Sequence, residues 1–314
     1  MRIVFCGSGS VATPVLGGLG KAGHEVAAVF TQPPRPAGRG GKLRPTPAAE
    51  AARELALPVR PVANINDAEN VAAVAALKAD AMVVVDFGQM IRAPAREATA
   101  LGAYNVHGSL LPALRGAAPA NWAIIRGLRE TGVTTFRLVD RMDAGDVFVR
   151  QAVAIAPGER ADELRARLAA AGAEAMVETL ALLAAGRTAG EGQDESAVTH
   201  APLLTKANGV IDWSAEATAV RDLIHGTWPW PGGQARYVAP DGKGVDVIIA
   251  RAEAVEGEPG GAGGAVTDDK TVATGSGRLS ILEIKPAGKR LMAWRDFVNG
   301  HRVGPGARFE PVVR

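Results

Sequence analysis

An asparagine and a histidine lie two positions apart in the stretch YNVHGSLLPALRGAAP, which runs from Tyr104 to Pro119. His107 is one of 5 histidines in a chain of 314 residues, and Asn105 precedes it. Residues two apart on a strand point to the same side, so both side chains can converge on one spot. An amide N–H beside an imidazole N–H forms a pair of donors for a developing oxyanion. The alternative is an ordinary histidine at the end of a strand.

A second segment, RMDAGDVF from Arg141 to Phe148, could supply an acid for this histidine. Asp143 and Asp146 lie around a glycine at the predicted carboxyl edge of a parallel sheet, where open α/β folds bind ligands. An aspartate facing His107 would hold the tautomer of its ring. A simple turn aspartate and a metal site built from His107, Asp143 and Asp146 are the alternatives. No ligand spacing such as H-x-x-x-H supports a metal, so we expect none.

The segment GSGSVA, from Gly7 to Ala12, follows the first predicted strand and fits the dinucleotide pattern G-x-G-x-x-G/A. That pattern also needs an acidic residue about 20 positions further on, at the end of the second strand. Gln32 stands there instead. A dinucleotide-binding oxidoreductase therefore remains only as an alternative from a different functional class.

Composition limits the class of protein. Apolar residues make up 47% of the chain and charged residues 22%, which is typical of a soluble globular protein. The single cysteine, Cys6, excludes an internal disulfide and a thiolate zinc cluster. No apolar run of about 18 residues predicts a membrane span, and the first residues, MRIVFCGSG, do not resemble a signal peptide. We expect a cytoplasmic protein without membrane contact.

The sequence up to about residue 185 alternates between two kinds of pattern. Short β-branched runs predict strands over 2–7, 24–32, 80–88, 132–139 and 147–155. Helical spacing covers 13–23, 47–57, 68–79 and 161–186. This alternation predicts a Rossmann-like α/β domain with a mostly parallel sheet.

The helical periodicity ends after residue 187, and short strands with glycine-rich turns follow from residue 207. Such strands are typical of a small barrel, and we expect an OB-like one. The predicted organisation is a catalytic domain over 1–187, a linker over 188–206 and a second domain over 207–314.

The net charge is only +2, so any affinity for nucleic acid has to come from local clusters. The segment from Pro33 to Pro47 carries four basic residues and no acid, and its prolines and glycines predict a mobile loop without regular structure. Residues 285–314 carry seven basic residues against two acids, and 241–269 carry seven acids against two bases. The basic segments could attract a phosphate backbone, or they could simply be solvated.

The run NVHGSLLPALRGAAP followed by TGVTTFRLVDRMDAGD resembles a formyltransferase signature: Asn-x-His, then SLLPxxRGxxP, then DxGD. The segments RPAGRGGKLRPTP, FGQMI, WPWPGG and LEIKPAGK, with DFVNGHRVGPG, extend the similarity over nearly the whole chain. The sequence therefore resembles the methionyl-tRNA branch of the 10-formyltetrahydrofolate-dependent formyltransferases.

This resemblance implies a catalytic trio and a co-substrate. The trio is Asn105, His107 and Asp143, acting while an amine attacks the formyl carbon of 10-formyltetrahydrofolate. The residues expected to contact the folate are Phe87, Gly88, Gln89, Met90, Ser109, Leu110, Leu111, Pro112 and Asp140.

The resemblance also implies an acceptor, the amino group of methionine on the initiator tRNA used in translation initiation. The residues expected to contact the tRNA are Arg35, Arg39, Lys42, Arg44, Lys289 and Arg290. Arg39 matches the key arginine of the family's basic insertion, and we expect the enzyme to be a monomer. The alternative is a sugar-nucleotide N-formyltransferase with the same chemistry. The pair Asn121-Trp122 is similar to residues of formyltransferases that act on amino sugars, but such an enzyme would need no basic loop.

Three segments depart from the family pattern. GSGS stands at residues 7–10 where the family usually has GTP, and Asp86 stands where a small residue is usual. IHGTWPWPGG, at residues 224–233, replaces a run that usually ends in FNPWPGA.

Overall fold

The computed structural model describes residues 1–37, 41–301 and 303–312. The chain divides into two compact units. The first comprises Met1–Gly116, Thr131–Val153 and Arg165–His200, and the second comprises Ala117–Glu130, Ala154–Leu164 and Ala201–Arg314. Two segments that precede residue 187 thus group with the C-terminal residues, and the domain boundaries at 187 and 207 stay a prediction.

The first unit is built on a large, mostly parallel sheet. The strands in chain order are β1 (Arg2–Gly7), β2 (Glu25–Thr31), β3 (Arg35–Ala37), β4 (Lys42–Arg44), β5 (Val59–Pro61), β6 (Ala81–Val85), β7 (Ala103–His107), β8 (Glu130–Arg137) and β9 (Val147–Ala154). Seven of them form a sheet in the order β5-β2-β1-β6-β7-β8-β9. The strands from β5 to β7 are parallel, and β8 runs antiparallel to β7. This arrangement confirms the predicted Rossmann-like sheet.

Helices cover both faces of the sheet. In chain order the helices up to residue 184 are α1 (Ala12–Lys21), α2 (Pro47–Glu54), α3 (Ala68–Ala76), α4 (Ala93–Arg96), α5 (Pro119–Ile125) and α6 (Ala161–Ala184), of which α5 belongs to the second unit. Residues of α1, α2 and α6 pack on one face with Phe5 and Val83, while residues of α3 and α4 pack on the other with Cys6 and Val84. Strands buried on both faces need apolar residues at successive positions, which explains runs such as AMVVV. Burial raises the pKa of the Cys6 thiol, so this cysteine acts as a small apolar core residue.

The basic segment contains regular structure, so the prediction of a loop without it was wrong. β3 and β4 form an antiparallel hairpin in which Arg35 pairs with Arg44 and Pro36 with Leu43. Proline is tolerated in such an isolated edge pair because no neighbouring strand needs its missing N–H. Thr46 then caps α2 by accepting the N–H of Ala49 at 3.1 Å, and Pro47 occupies the first turn of the helix, where no N–H is required.

The second unit contains an antiparallel, barrel-like sheet, as the glycine-punctuated short strands predicted. Its elements include α7 (Ala217–Thr227), β10 (Gly233–Val238), β11 (Gly244–Val255), β12 (Val272–Ala273), β13 (Arg278–Pro286), β14 (Met292–Ala293), α8 (Trp294–Gly300) and β15 (Arg308–Glu310). The strand order is β12-β13-β11-β10-β15, with β14 paired to β13. Aromatic side chains fill its core, including Trp213, Tyr237, Phe297 and Phe309. None of the helices in the described parts of the chain is long and apolar enough to cross a membrane.

One buried histidine makes the stability of the second unit depend on pH. His225 of α7 is 2% exposed, and its Nε2 accepts the N–H of Ala252 at 3.2 Å. Burial, together with the positive charges of Arg251 and its neighbours, lowers the pKa of His225 to about 4. The unfolded chain therefore binds a proton at this residue below a pH of about 6.5, whereas the folded chain does not until about pH 4.

We expect the free energy of unfolding to decrease by about 3 kcal/mol as the pH falls from about 6.5 to about 4, because the lowered pKa of His225 favours the unfolded state over that range. Urea unfolding followed by tryptophan fluorescence at several pH values measures this decrease. His225→Gln, whose amide can still accept the N–H of Ala252 without titrating, should show a flatter dependence. Equal slopes for both proteins would contradict the assignment.

Candidate active site

Asn105 and His107 lie on the same side of β7, at its carboxyl end. The flanking residues Tyr104 and Val106 belong to the core beneath α1 and α6, whereas Ala103 belongs to the opposite core. Because side chains alternate along a strand, Asn105 and His107 face the same side as Ala103. The pairing of Asn105 with Phe136 on β8 keeps this end of β7 inside the sheet.

Both ring nitrogens of His107 face acceptors. The side chain is 6% exposed, and Nε2 lies 2.9 Å from the carbonyl oxygen of Leu114. A carbonyl oxygen only accepts, so Nε2 carries a proton and donates it to Leu114. Nδ1 lies 3.7 Å from Oδ2 of Asp143. The structure thus brings together the histidine and the aspartate that the sequence singled out, with Nδ1 as the nitrogen on the acid's side.

Asp143 is held in an unusual backbone conformation. Its φ is 54°, in the left-handed region that residues other than glycine rarely adopt. Oδ2 accepts the N–H of Gly116 at 2.8 Å, and the side chain is only 11% exposed. The glycine of the DAGD turn is needed for close approach, because a Cβ on Gly145 would lie 1.7 Å from the carbonyl oxygen of Arg137. The turn therefore fixes the Asp143 carboxylate against His107.

The neighbouring acid does not complete a metal site. Asp146 is exposed, and its carbonyl oxygen accepts the N–H of Arg137 at 2.9 Å. Among the residues that the structure describes, no group of three or more histidine, cysteine, aspartate or glutamate side chains could hold a metal ion.

The SLLP turn after His107 is tied to β8. Thr134 donates its hydroxyl to the carbonyl oxygen of Ser109 at 2.6 Å and accepts the N–H of Leu111 at 3.0 Å. The hydroxyl of Ser109 is buried and donates to the carbonyl oxygen of Ala113 at 2.5 Å. These polar groups fix the turn itself, whereas Leu110 and Pro112 remain partly exposed.

The segment from Phe87 to Met90 follows β6 at the same edge of the sheet. The Gln89 side chain accepts the N–H of Ile65 at 2.8 Å and donates to the carbonyl oxygen of Val62 at 3.0 Å. Its side chain therefore stabilises the adjacent loop, a role that the sequence pattern did not reveal. Phe87 is buried, and Met90 is 50% exposed.

Asp140, the remaining residue expected to contact folate, is held by a buried arginine. Nη2 of Arg96 donates to Oδ1 of Asp140 at 2.8 Å, and Nη1 donates to the carbonyl oxygen of Ile91 at 2.8 Å. The side chain of Asp140 is nevertheless 84% exposed, so the carboxylate remains accessible to a ligand.

The GSGS turn is not built to hold a pyrophosphate. The N–H groups of Ser8 and Gly9 both donate to the carbonyl oxygen of Asp86 at 3.1 Å. A dinucleotide site needs such N–H groups free for phosphate oxygens. Two N–H groups of the turn are therefore unavailable to a pyrophosphate, which counts against the dinucleotide-binding alternative.

Two departures from the family pattern, Gly9 and Asp86, are in direct contact. Asp86 has a φ of 45°, and a Cβ on Gly9 would lie 1.7 Å from Oδ2 of Asp86. Desolvation raises the pKa of Asp86, while the charge of Arg165 lowers it to a smaller extent. The glycine thus provides the space that the larger side chain at residue 86 requires.

Gly9→Ala should therefore decrease the free energy of unfolding by about 1 to 2 kcal/mol, as overpacking does elsewhere. The loss should shrink when Asp86→Ala is added, because the clashing carboxylate is then absent. Urea unfolding of the two single variants and the double variant measures this coupling. Gly20→Ala is the control, since a Cβ there meets nothing within 4 Å. An equal loss with and without Asp86 would refute the explanation.

The residues expected to contact tRNA lie in two places. Lys42 and Arg44 are exposed on β4, and Arg35 donates to the side-chain oxygen of Gln32. Lys289 and Arg290 are exposed in the turn between β13 and β14. Arg39 lies outside the described residues.

Asn121, which resembles a residue of amino-sugar formyltransferases, is buried. Its Nδ2 donates to the carbonyl oxygen of Gly226 at 2.7 Å. Trp122 donates its indole N–H to the carbonyl oxygen of Pro202 at 2.8 Å. Both side chains thus hold the second unit together, which gives no support to an amino-sugar acceptor.

Comparisons with known proteins identify the family of the chain. Residues 1–180 match the family model for formyl transferase, and residues 203–302 match that for the formyl transferase C-terminal domain. The chain is 42% identical over 305 residues to a methionyl-tRNA formyltransferase of Solibacter usitatus (strain Ellin6076), with 96% of each chain covered. It is 39% identical over 308 residues to that of Geobacter sulfurreducens, covering 98% of this chain and 96% of the relative.

A solved structure shares the fold at lower identity. The N-formyltransferase from Helicobacter canadensis, in complex with folinic acid and dTDP-3-aminofucose, superimposes with a TM-score of 0.65 at 14% identity, covering 92% of this chain and 100% of that one. The two family models and the near-complete alignments with methionyl-tRNA formyltransferases carry the assignment. The chain belongs to the formyltransferase family, in its methionyl-tRNA formyltransferase branch.

Proposed function

We propose that this enzyme transfers the formyl group of 10-formyltetrahydrofolate to the amino group of methionine on initiator tRNA. The observation that carries the proposal is the approach of His107 to Asp143 beside Asn105, in a chain whose curated relatives are methionyl-tRNA formyltransferases along nearly their full length. The proposal takes the enzyme as a cytoplasmic monomer that serves translation initiation.

In the proposed reaction, the methionine nitrogen attacks the formyl carbon, and the carbonyl electron pair moves to oxygen. The amide N–H of Asn105 and Nδ1–H of His107 donate to that oxygen as its negative charge develops. The proton of Nε2 is already committed to the carbonyl oxygen of Leu114 at 2.9 Å, which fixes the orientation of the ring. The new C–N bond forms in this attack; the oxyanion then re-forms the carbonyl, and the C–N10 bond breaks with its electron pair going to N10 of the folate.

Asp143 has two roles in this scheme. Its carboxylate faces Nδ1 and stabilises the ring while that nitrogen donates. It also accepts the proton that the attacking amine loses, directly or through water, and passes this proton on to the folate nitrogen as that nitrogen leaves. The left-handed backbone at Asp143 and the N–H of Gly116 hold the acid in place for both roles.

The folate pocket is proposed at the carboxyl edge of the sheet. Residues 87–90 and 109–112 follow β6 and β7, whose carboxyl ends lie side by side, and this edge is where open α/β sheets bind ligands. The exposed Met90 side chain offers an apolar surface to a flat ring, and the Asp140 carboxylate offers an acceptor for ring N–H groups.

The hairpin β3–β4 supports tRNA as the carrier of the amine. Its exposed cations suit a phosphate backbone, and a small acceptor such as an amino sugar would need no such extension. Exposed Lys289 and Arg290 extend the positive charge available to a long polyanion.

The proposal is tested with purified protein and 10-formyltetrahydrofolate, supplied with either methionine-charged initiator tRNA or a dTDP-amino sugar. We expect N-formylmethionine on the tRNA and no formyl sugar above the enzyme-free background. Uncharged tRNA is the control for the amine. Formylation of the sugar but not of the tRNA would replace the proposed acceptor with a sugar nucleotide.

A further inference from the structure

We propose that Gln193 is a positioning residue that holds Asp143 in place for catalysis, as part of a segment over 191–200 that the sequence predicted to be only a linker. This inference rests on the proposed roles of His107 and Asp143. It adds a residue outside the signature motifs to the machinery of the reaction.

Gln193 connects the catalytic turn to a buried arginine. Its Nε2 donates to the carbonyl oxygens of Asp143 and Gly145, both at 2.8 Å. Its Oε1 accepts from Nε of Arg115 at 3.1 Å and from Nη2 at 2.7 Å. The side-chain amide of Gln193 thus accepts from Arg115 through its oxygen, and its N–H groups donate only to the turn that carries Asp143.

The same segment fixes the acceptor of the other His107 nitrogen. Thr199 accepts the N–H of Leu114 on its hydroxyl at 2.8 Å and the N–H of Arg115 on its carbonyl oxygen at 2.8 Å. The carbonyl oxygen of Leu114 is the one that holds Nε2 of His107, and the N–H of Gly116 is the one that holds Asp143. The segment therefore reaches both neighbours of the His107 ring.

An electrostatic contact strengthens this connection. Glu195 accepts from Nη2 of Arg115 at 3.0 Å and from Nη2 of Arg141 at 2.5 Å. Hydrogen bonds from Arg115 and Arg141 lower the pKa of Glu195, so it remains ionised. Arg141 lies two residues before Asp143, so the contact between Glu195 and Arg141 connects the segment to the catalytic turn at a second point.

The backbone of Asp143 explains why such support is needed. A left-handed conformation at a residue other than glycine persists only where its surroundings enforce it. Two N–H donations onto the carbonyl oxygens on either side of Ala144 restrain the turn directly. Without them, the Asp143 carboxylate would lose its fixed distance to Nδ1 of His107, and small displacements of a catalytic group lower kcat strongly.

Two substitutions distinguish the bonds that Gln193 donates to the turn from those that it accepts from Arg115. Gln193→Glu keeps an acceptor for Arg115 but removes both donors to the turn, because a carboxylate cannot donate. Gln193→Ala removes both the donors to the turn and the acceptor for Arg115. Ser196→Ala is the matched control, because it lies in the same segment and its hydroxyl donates to Asp194 at 2.7 Å rather than to the catalytic turn.

We expect Gln193→Glu and Gln193→Ala to lower kcat by about 10- to 100-fold, with both KM values within about twofold of those of Ser196→Ala. In Gln193→Glu a carboxylate oxygen faces the carbonyl oxygens of Asp143 and Gly145, so its midpoint of thermal unfolding should lie below that of the control, and kcat is compared at a temperature where both variants are fully folded. A kcat equal to that of the control, or a loss confined to KM, would overturn the proposal.

A double variant tests whether Gln193 acts through Asp143. Combining Asp143→Asn with Gln193→Glu should lower kcat no further than Asp143→Asn alone, because the positioned group is already disabled. Additive losses would overturn the proposal. If Asp143→Asn itself retains full activity, the proposed catalytic role fails; if it is impaired while Gln193→Glu is not, only the positioning role fails.

Discussion

Asn105→Ala is expected to lower kcat by about 100- to 1000-fold while leaving both KM values nearly unchanged. The amide donates to an oxygen that becomes negative only during the reaction, so its loss affects the transition state far more than the bound substrates. A single such donor typically stabilises the transition state by about 3 kcal/mol. Initial rates at varied folate and tRNA concentrations measure kcat and KM separately.

Asn299→Ala provides the control for this variant, because that asparagine is exposed near the end of α8. Asn105→Ala should unfold at nearly the same urea concentration as the wild-type protein, since Asn105 is only partly buried. Retention of most of the activity would show that the oxyanion is stabilised elsewhere.

Neutralising cations of the basic segment over 33–47 should weaken tRNA binding and its dependence on salt. With Arg39, Lys42 and Arg44 replaced by glutamine, the slope of the logarithm of the tRNA-binding constant against the logarithm of the salt concentration should decrease in magnitude by about 2 to 3. The reason is that each lost phosphate contact removes about 0.9 from the magnitude of this slope. Titration of labelled initiator tRNA at several salt concentrations measures this slope.

The matched control replaces three cations outside that segment, Lys21, Lys78 and Lys243, all of which are exposed. Its slope should stay close to that of the wild-type protein, while its net charge equals that of the first triple variant. Equal slopes for the two triple variants would mean that only overall charge matters and that the basic segment makes no specific contact.

Much of the first unit follows from local pattern. A strand that is buried on both faces leaves a continuous apolar run such as AMVVV, whereas a helix that is buried on one face leaves the helical spacing of apolar residues seen over 161–186. The two patterns therefore identify strands and helices. The same patterns do not encode strand direction, so the antiparallel course of β8 beside β7 was not predicted. The hairpin β3–β4 was missed because prolines suppress strand signals even where an edge pair accommodates them.

The site was predictable as far as residue type and motif could identify it. His107 and Asp143 were chosen from the sequence, and the fold brings Nδ1 within 3.7 Å of the acid. The contribution of Gln193 was not visible, because nothing in a polar, aperiodic segment indicates that an amide 50 residues from Asp143 donates to its carbonyl oxygen. Contacts between distant segments depend on the folded chain rather than on local spacing.

The contact between Gly9 and Asp86 illustrates the same principle. Each residue departs from the family pattern separately, and the chain separation hides their relation. In the fold, the carboxylate of Asp86 occupies the space beside Gly9 that any side chain at residue 9 would need.

The most direct test of the central claim is mass spectrometry of the methionine released from initiator tRNA after a single turnover with 10-formyltetrahydrofolate. The wild-type protein should yield methionine heavier by one formyl group in place of the amine hydrogen, and His107→Ala should yield almost none in the same time. Unmodified methionine from the wild-type reaction, or equal formylation by His107→Ala, would contradict the assignment of formyl transfer to this site.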